Sequence, residues 1–177
     1  MAVEKLLAAK PDRHTAISSS GRRRLKLPLQ IRAAEAVDLV AVIALDERIT
    51  GVNKREYWDE MFARYGKIRP KGGFFLVAES GDRKSHGRVL GFIIGEVRAW
   101  EFGSAPCGWV FALSVAPEAR LHGVGEALFE ALSAEFKNAG VNKMRTMVAR
   151  DNRLTLMFFR GEGMMAGPYI ELEKDID

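Results

Sequence analysis

One cysteine, Cys107, is all the chain has in 177 residues, so no intramolecular disulfide is available and the composition suits a reducing compartment. No histidine accompanies Cys107 in its sequence context, so an inert thiol is expected there. Histidine is scarce too. Three scattered residues offer no metal-ligand spacing, and no metal is expected. Long apolar runs are missing. The longest plainly aliphatic stretch, Leu39 to Leu45, falls far short of the ~20 residues that cross a bilayer. The first thirty residues hold no apolar segment followed by a small-residue cleavage site, which argues against a secretory signal. A soluble cytoplasmic protein with no membrane partner is the expectation.

The net charge of +4 is unevenly distributed. Residues 1 to 30 carry seven Lys/Arg against Glu4 and Asp12, a balance of +5. Removing these from totals of 27 and 23 leaves 20 basic and 21 acidic side chains, or −1, for the rest. The basic character therefore belongs to the tail. Its run Arg22-Arg23-Arg24 has no interleaved aromatics, so a nucleic-acid partner is not expected. Residues 1–28 read as a basic extension and 29–177 as one domain of ordinary size.

Within that domain, hydrophobic periodicity alternates between two and about 3.6 residues. Strands are expected at 29–32, 74–79, 89–100, 108–115, 143–149 and 169–174. Helices are expected at 38–49, at 54–68 (Trp58, Met61, Phe62, Tyr65), at 125–138 (Leu128, Leu132, Phe136), and from Asp151 or Asn152 through Arg160. This order implies an α/β (α+β) fold with a mixed sheet and helices on both faces.

The most informative run is Ser114 to Leu128. It reads as a strand end, a proline turn, the loop Arg120-Leu121-His122-Gly123-Val124-Gly125, and a helix start at Glu126. Glycines let the backbone approach an anion, and the following helix presents amide donors and a positive dipole end. The pattern Val-x-Pro-x-x-Arg-x-x-Gly-Val-Gly-x-x-Leu resembles the acetyl-CoA-binding motif of the GCN5-related N-acetyltransferase (GNAT) superfamily. Gly91-Phe92, and Asn152 followed by Phe159 and Gly163-Met164, resemble two further patterns of that family.

The resemblance covers residues 29 to 174 and implies a central, mostly antiparallel sheet and direct acetyl transfer from acetyl-CoA to an amine in a ternary complex. It implies cofactor contacts from Leu113, Val115, Arg120, Leu121, His122, Gly123, Val124, Gly125, Glu126, Asn152 and Phe159. The acceptor is expected on a small molecule, peptide or protein, facing Tyr57, Trp58 and Tyr65, and a homodimer is a further expectation. The transition-state oxyanion would meet amides near Val115.

Two departures affect the chemistry. Phe159 stands where the family usually has a tyrosine general acid, and it has no proton to give. The central strand Trp109 to Leu113 lacks the carboxylate some members carry. Glu96 and Glu101 are the candidates for the base, and Tyr169, Tyr57 or water for the acid. A non-catalytic acyl-CoA sensor is the alternative. Met144, Met147, Met157, Met164 and Met165 read as core filler rather than an acyl pocket.

Overall fold

The computed structural model describes residues 29–68, 70–81 and 87–176, so the basic extension lies outside the described residues. The elements are β1 (Leu29–Ala33), α1 (Leu39–Thr50), α2 (Arg55–Met61), β2 (Gly73–Ser80), β3 (Arg88–Arg98), β4 (Cys107–Val115), α3 (Val124–Asn138), β5 (Met144–Thr146) and α4 (Arg153–Gly161). They form one five-stranded sheet in the order β1-β2-β3-β4-β5. The first three pairings are antiparallel and β4–β5 is parallel, which makes the sheet mixed.

Successive strand residues face opposite sides, and β3 shows why its sequence is almost wholly apolar. Phe92 points to the α1–α2 layer, where its ring meets Trp58 at 4.9 Å and Phe75 at 6.1 Å. Its neighbours Gly91 and Gly95 lie under α3: a Cβ at Gly95 would sit 2.7 Å from the Phe136 ring. A Cβ on Gly108 of β4 would come closer still to that ring. Small residues on the sheet thus seat one large residue of α3, and Phe136, Leu132 and Leu128 are fully buried there.

The entrance to α1 is pinned electrostatically. Arg32 of β1 donates to both oxygens of Asp38, at 2.6 and 2.8 Å, and to Glu79 of β2 at 2.7 Å. Asp38 also accepts from the Glu35 amide at 2.8 Å. Both carboxylates are buried, and the shared guanidinium is what makes that tolerable.

Three sequence expectations need correction. The helix foreseen at 54–68 ends at Met61 and widens into π-helical turns over Phe62–Ile68. There the Phe62 ring fills the space a Cβ at Gly66 would need, 2.3 Å away. The strand at 143–149 shortens to Met144–Thr146, because it leaves β4 after three pairs. The strand at 169–174 does not form: Ile170 and Leu172 are exposed, and that segment pairs with no described strand. An alternating pattern needs an edge to pair with, and β5 presents only three residues.

Candidate active site

The site is created where two strands part. β4 and β5 are paired only at Gly108–Met144, Trp109–Arg145 and Val110–Thr146. Thr146 Oγ1 then donates to Val110 O at 2.8 Å and closes the ladder. β4 runs on to Val115 with β3 on one edge and no described strand on the other. A bulge opposite Ile94/Gly95 leaves Phe111 without a β3 partner and turns its ring toward Tyr65, 5.3 Å between centroids. The outer edge of residues 111–115 therefore offers main-chain amides and carbonyls to a ligand.

Below this opening, the chain passes through a short 3₁₀ turn at Pro117–Ala119 and enters α3. Gly123 is left-handed at φ +82° and heads the helix, a conformation that costs glycine little. Leu121 is also left-handed, at φ +63°, and is almost wholly exposed. The first intrahelical bond runs from the Ala127 amide to Gly123 O, which sets the loop at the head of the helix. The glycines differ in their work. Gly125 is set by packing: a Cβ there would lie 3.1 Å from the Phe158 ring of α4. Arg120 folds back, its Nε donating to Val115 O at 3.3 Å, and His122 Nδ1 bonds Arg120 O at 2.7 Å. These two contacts hold the loop in shape at the head of α3, the kind of position at which helix amides bind phosphate.

Against the parted strand, on the α1–α2 side, lies a cavity of about 460 Å³. Its lining joins Phe111, Ala112, Leu113 and Ser114 of β4 to Phe92, Asp46, Lys54, Tyr57 and Trp58. Asp46 is buried, and its Oδ2 receives both Trp58 Nε1 and Lys54 Nζ, each at 2.9 Å. Burial pushes the Tyr57 hydroxyl above its usual pKa, with Lys54 opposing and Asp46 reinforcing the rise.

Asp46 and Lys54 escaped the sequence reading, although one signal was present. Leu39, Val42, Ile43 and Asp46 fall at helical spacing on the buried face of α1. A carboxylate inside an apolar stripe is seldom there without a partner or a task.

The structure separates the remaining candidates. Glu96 does not line the cavity. It accepts from Tyr65 Oη at 2.6 Å and Arg98 Nε at 2.9 Å, with Arg64 at 3.6 Å. Burial opposes its ionisation, but those hydrogen bonds and charges prevail, and its carboxyl titrates below the usual range. Burial and the same carboxylate push Tyr65 up to about 12. Glu101 sits in the exposed β3–β4 connection, 3.8 Å from Arg98. Tyr169 stacks under the Arg145 guanidinium at 4.7 Å, away from the lining residues. Asn152 caps α4, its Oδ1 accepting from the Thr155 amide at 3.2 Å. Phe159 is buried against Phe129 of α3, 5.9 Å between rings. Among the described residues no group of three or more His, Cys, Asp or Glu could hold a metal.

The comparisons with known proteins agree with this geometry. Aminoglycoside N-acetyltransferase AAC(6')-Iy, solved with a CoA-containing bisubstrate analogue, superposes with a TM-score of 0.70 at 15% identity, covering 84% of this chain and 99% of that one. The aminoglycoside 6'-N-acetyltransferase AAC(6')-IG of Acinetobacter haemolyticus gives 0.66 at 18%, over 84% and 99%. A Trypanosoma brucei acetyltransferase gives 0.61 at 21%, again over 84% and 99%. At these identities the likeness establishes the fold. No curated protein matches in sequence. The sequence pattern of the acetyltransferase (GNAT) family, however, matches residues 39–164, from α1 through the loop to the end of α4. With most of the folded chain inside that match, this protein belongs to the acetyltransferase (GNAT) family.

Proposed function

We propose that the protein is an N-acetyltransferase that takes acetyl from acetyl-CoA and gives it to an amine, both bound together. The observation that carries this reading is the parting of β4 from β5 after Val110, with a glycine-headed helix start following the strand and a cavity beside it. The residues fit acetyl-CoA. Amides from Leu121 to Glu126, at the head of α3, would hold a diphosphate, and the edge of residues 111–115 that no described strand covers suits an extended, amide-bearing arm. Solved neighbours bound to CoA or a CoA analogue support the choice.

When bound, acetyl-CoA supplies an activated thioester: the acceptor nitrogen forms the amide C–N bond as the C–S bond breaks, and the displaced proton ends on the thiol or in water. The chain's own part is positioning and charge. Edge amides of β4 donate toward the oxygen that gains negative charge, a contribution worth about 3 kcal/mol per donor in comparable sites. Phe111, Tyr57 and Trp58 wall the acceptor and limit water. Glu96 and Asp46 are both engaged by other side chains, so the acceptor's proton has water as its exit. An amine of pKa ~10.4 costs about 4–5 kcal/mol to neutralise at pH 7, an α-amine of ~8 only about 1. The reading therefore favours acceptors of lower basicity.

A buried phenylalanine at position 159, with no hydroxyl to offer, favours one rival: a domain that binds acyl-CoA without turnover. Thiol release from acetyl-CoA across a panel of amines decides between them. Turnover with at least one amine is expected, and binding without release supports the sensor. Gly123→Asp puts a carboxylate and a strained φ into the loop. Calorimetry is expected to show no acetyl-CoA binding while circular dichroism stays native, and unchanged affinity would refute the site.

A further inference from the structure

Outside the loop, the feature best able to choose a substrate is the Asp46–Lys54 pair in the acceptor cavity. The two charges are unequally reachable. The Asp46 side chain is 7% exposed and the Lys54 side chain 36%, although they touch at 2.9 Å. A molecule entering the cavity meets the ammonium before it meets the carboxylate. Asp46 is also spoken for, since Oδ2 takes both Lys54 Nζ and Trp58 Nε1. The cavity lining contains no other acid.

This arrangement works against a polycation. A ligand with several ammonium groups needs several carboxylates, and here it would meet one that is buried and already neutralised. It works for an anion. Lys54 has three donors, one aimed at Asp46, and the buried carboxylate fixes the ammonium on the cavity wall before any ligand arrives. Apart from this pair and the Ser114 hydroxyl, the lining side chains are aromatic or aliphatic, with the rings of Tyr57, Trp58, Phe92 and Phe111 among them.

Resting on the acetyl-transfer reading above, we infer that the acceptor is a small amine that also carries a carboxylate: an amino acid with a flat or apolar body. Its carboxylate pairs with Lys54, its body lies against Phe111 and Tyr57, and its amine is directed to the edge of β4. Lys54 is then the specificity-determining residue, and Asp46 is a positioning residue that acts through it.

The test compares phenylalanine, phenethylamine and spermidine, by calorimetry on protein saturated with CoA and by thiol release with acetyl-CoA. Phenylalanine is expected to bind and turn over at least about tenfold better than phenethylamine, the size of one truncated charge-assisted contact. Spermidine is expected to be poorest. Lys54→Met is expected to abolish the preference for phenylalanine without altering CoA affinity, and Lys54→Arg to retain most of it. Asp46→Asn keeps an acceptor for Trp58 and is expected to raise the KM for phenylalanine more than it lowers kcat. Preference for phenethylamine or spermidine, or a Lys54→Met variant that weakens all three alike, overturns the inference and leaves acetyl transfer standing. Failure of CoA itself to bind overturns the parent reading instead.

Discussion

Glu96 is the clearest case of a side chain whose partners set its role. A glutamate in mid-strand near an active site invites the part of general base. Tyr65, Arg98 and Arg64 surround it and hold it ionised, a structural knot joining the turns after α2 to β3. The knot has a pH signature. The folded-state pKa of Glu96 is depressed, so its contribution is present above the ordinary glutamate value of about 4.3 and is lost as pH falls below it. Tyr65 is raised to about 12, so the fold loses stability as pH climbs from the ordinary tyrosine value of about 10 toward that figure. Glu96→Gln is expected to flatten the acid limb of a Tm–pH curve, and Tyr65→Phe the alkaline limb. Unchanged limbs would refute the assignment. Leu121 makes a second residue-scale case. A left-handed leucine costs about 1–2 kcal/mol, so Leu121→Gly is expected to raise stability in urea by about 0.5–1 kcal/mol after the entropy of the extra glycine. Weaker acetyl-CoA binding by the same variant would show that the strain serves the loop.

The decisive feature among the elements is that β5 is short. Three residues of pairing hold it to β4, and the uncovered edge of β4 begins at the next residue. Thr146 marks the boundary through its bond to Val110 O. Thr146→Val keeps the shape and removes that bond, and is expected to cost about 1 kcal/mol in chemical denaturation. No loss would mean that the ladder ends for another reason. α3 and α4 meet at Gly125 and Phe158, so the motif's second glycine reports helix packing as well as ligand approach. In α1, the same helical stripe that buries Val42 and Ile43 delivers Asp46 to the cavity.

For the whole molecule, one sheet with a helical layer on each face accounts for the core and leaves the C-terminal residues outside it. Ile170, Leu172 and Ile176 are all exposed. Exposed residues contribute little to stability, within about 0.5 kcal/mol each way. Deleting residues 170–177 is therefore expected to shift Tm by less than ~2 °C, given 2–4 °C per kcal/mol at this chain length. A larger drop, accompanied by a smaller particle in sedimentation, would mean that these residues pair with a second copy. Among the described residues no helix is long and apolar enough to cross a membrane.

Much of the fold was legible because periodicity reports which face an element buries. β2, β3 and β4 read as apolar runs and α1 and α3 as stripes, and the residues so marked form the core. The loop was legible for a related reason: its glycines and the helix start are local, and local backbone geometry is written in consecutive residues. Tertiary structure decided the rest. Whether 169–174 is a strand depends on an edge supplied by another part of the sheet. Glu96 is bound by Tyr65, 31 positions away, and the cavity is lined by Asp46, Lys54 and Phe111 from three separate stretches of chain. Contacts between distant residues set charge state and accessibility, and no spacing along the chain encodes them.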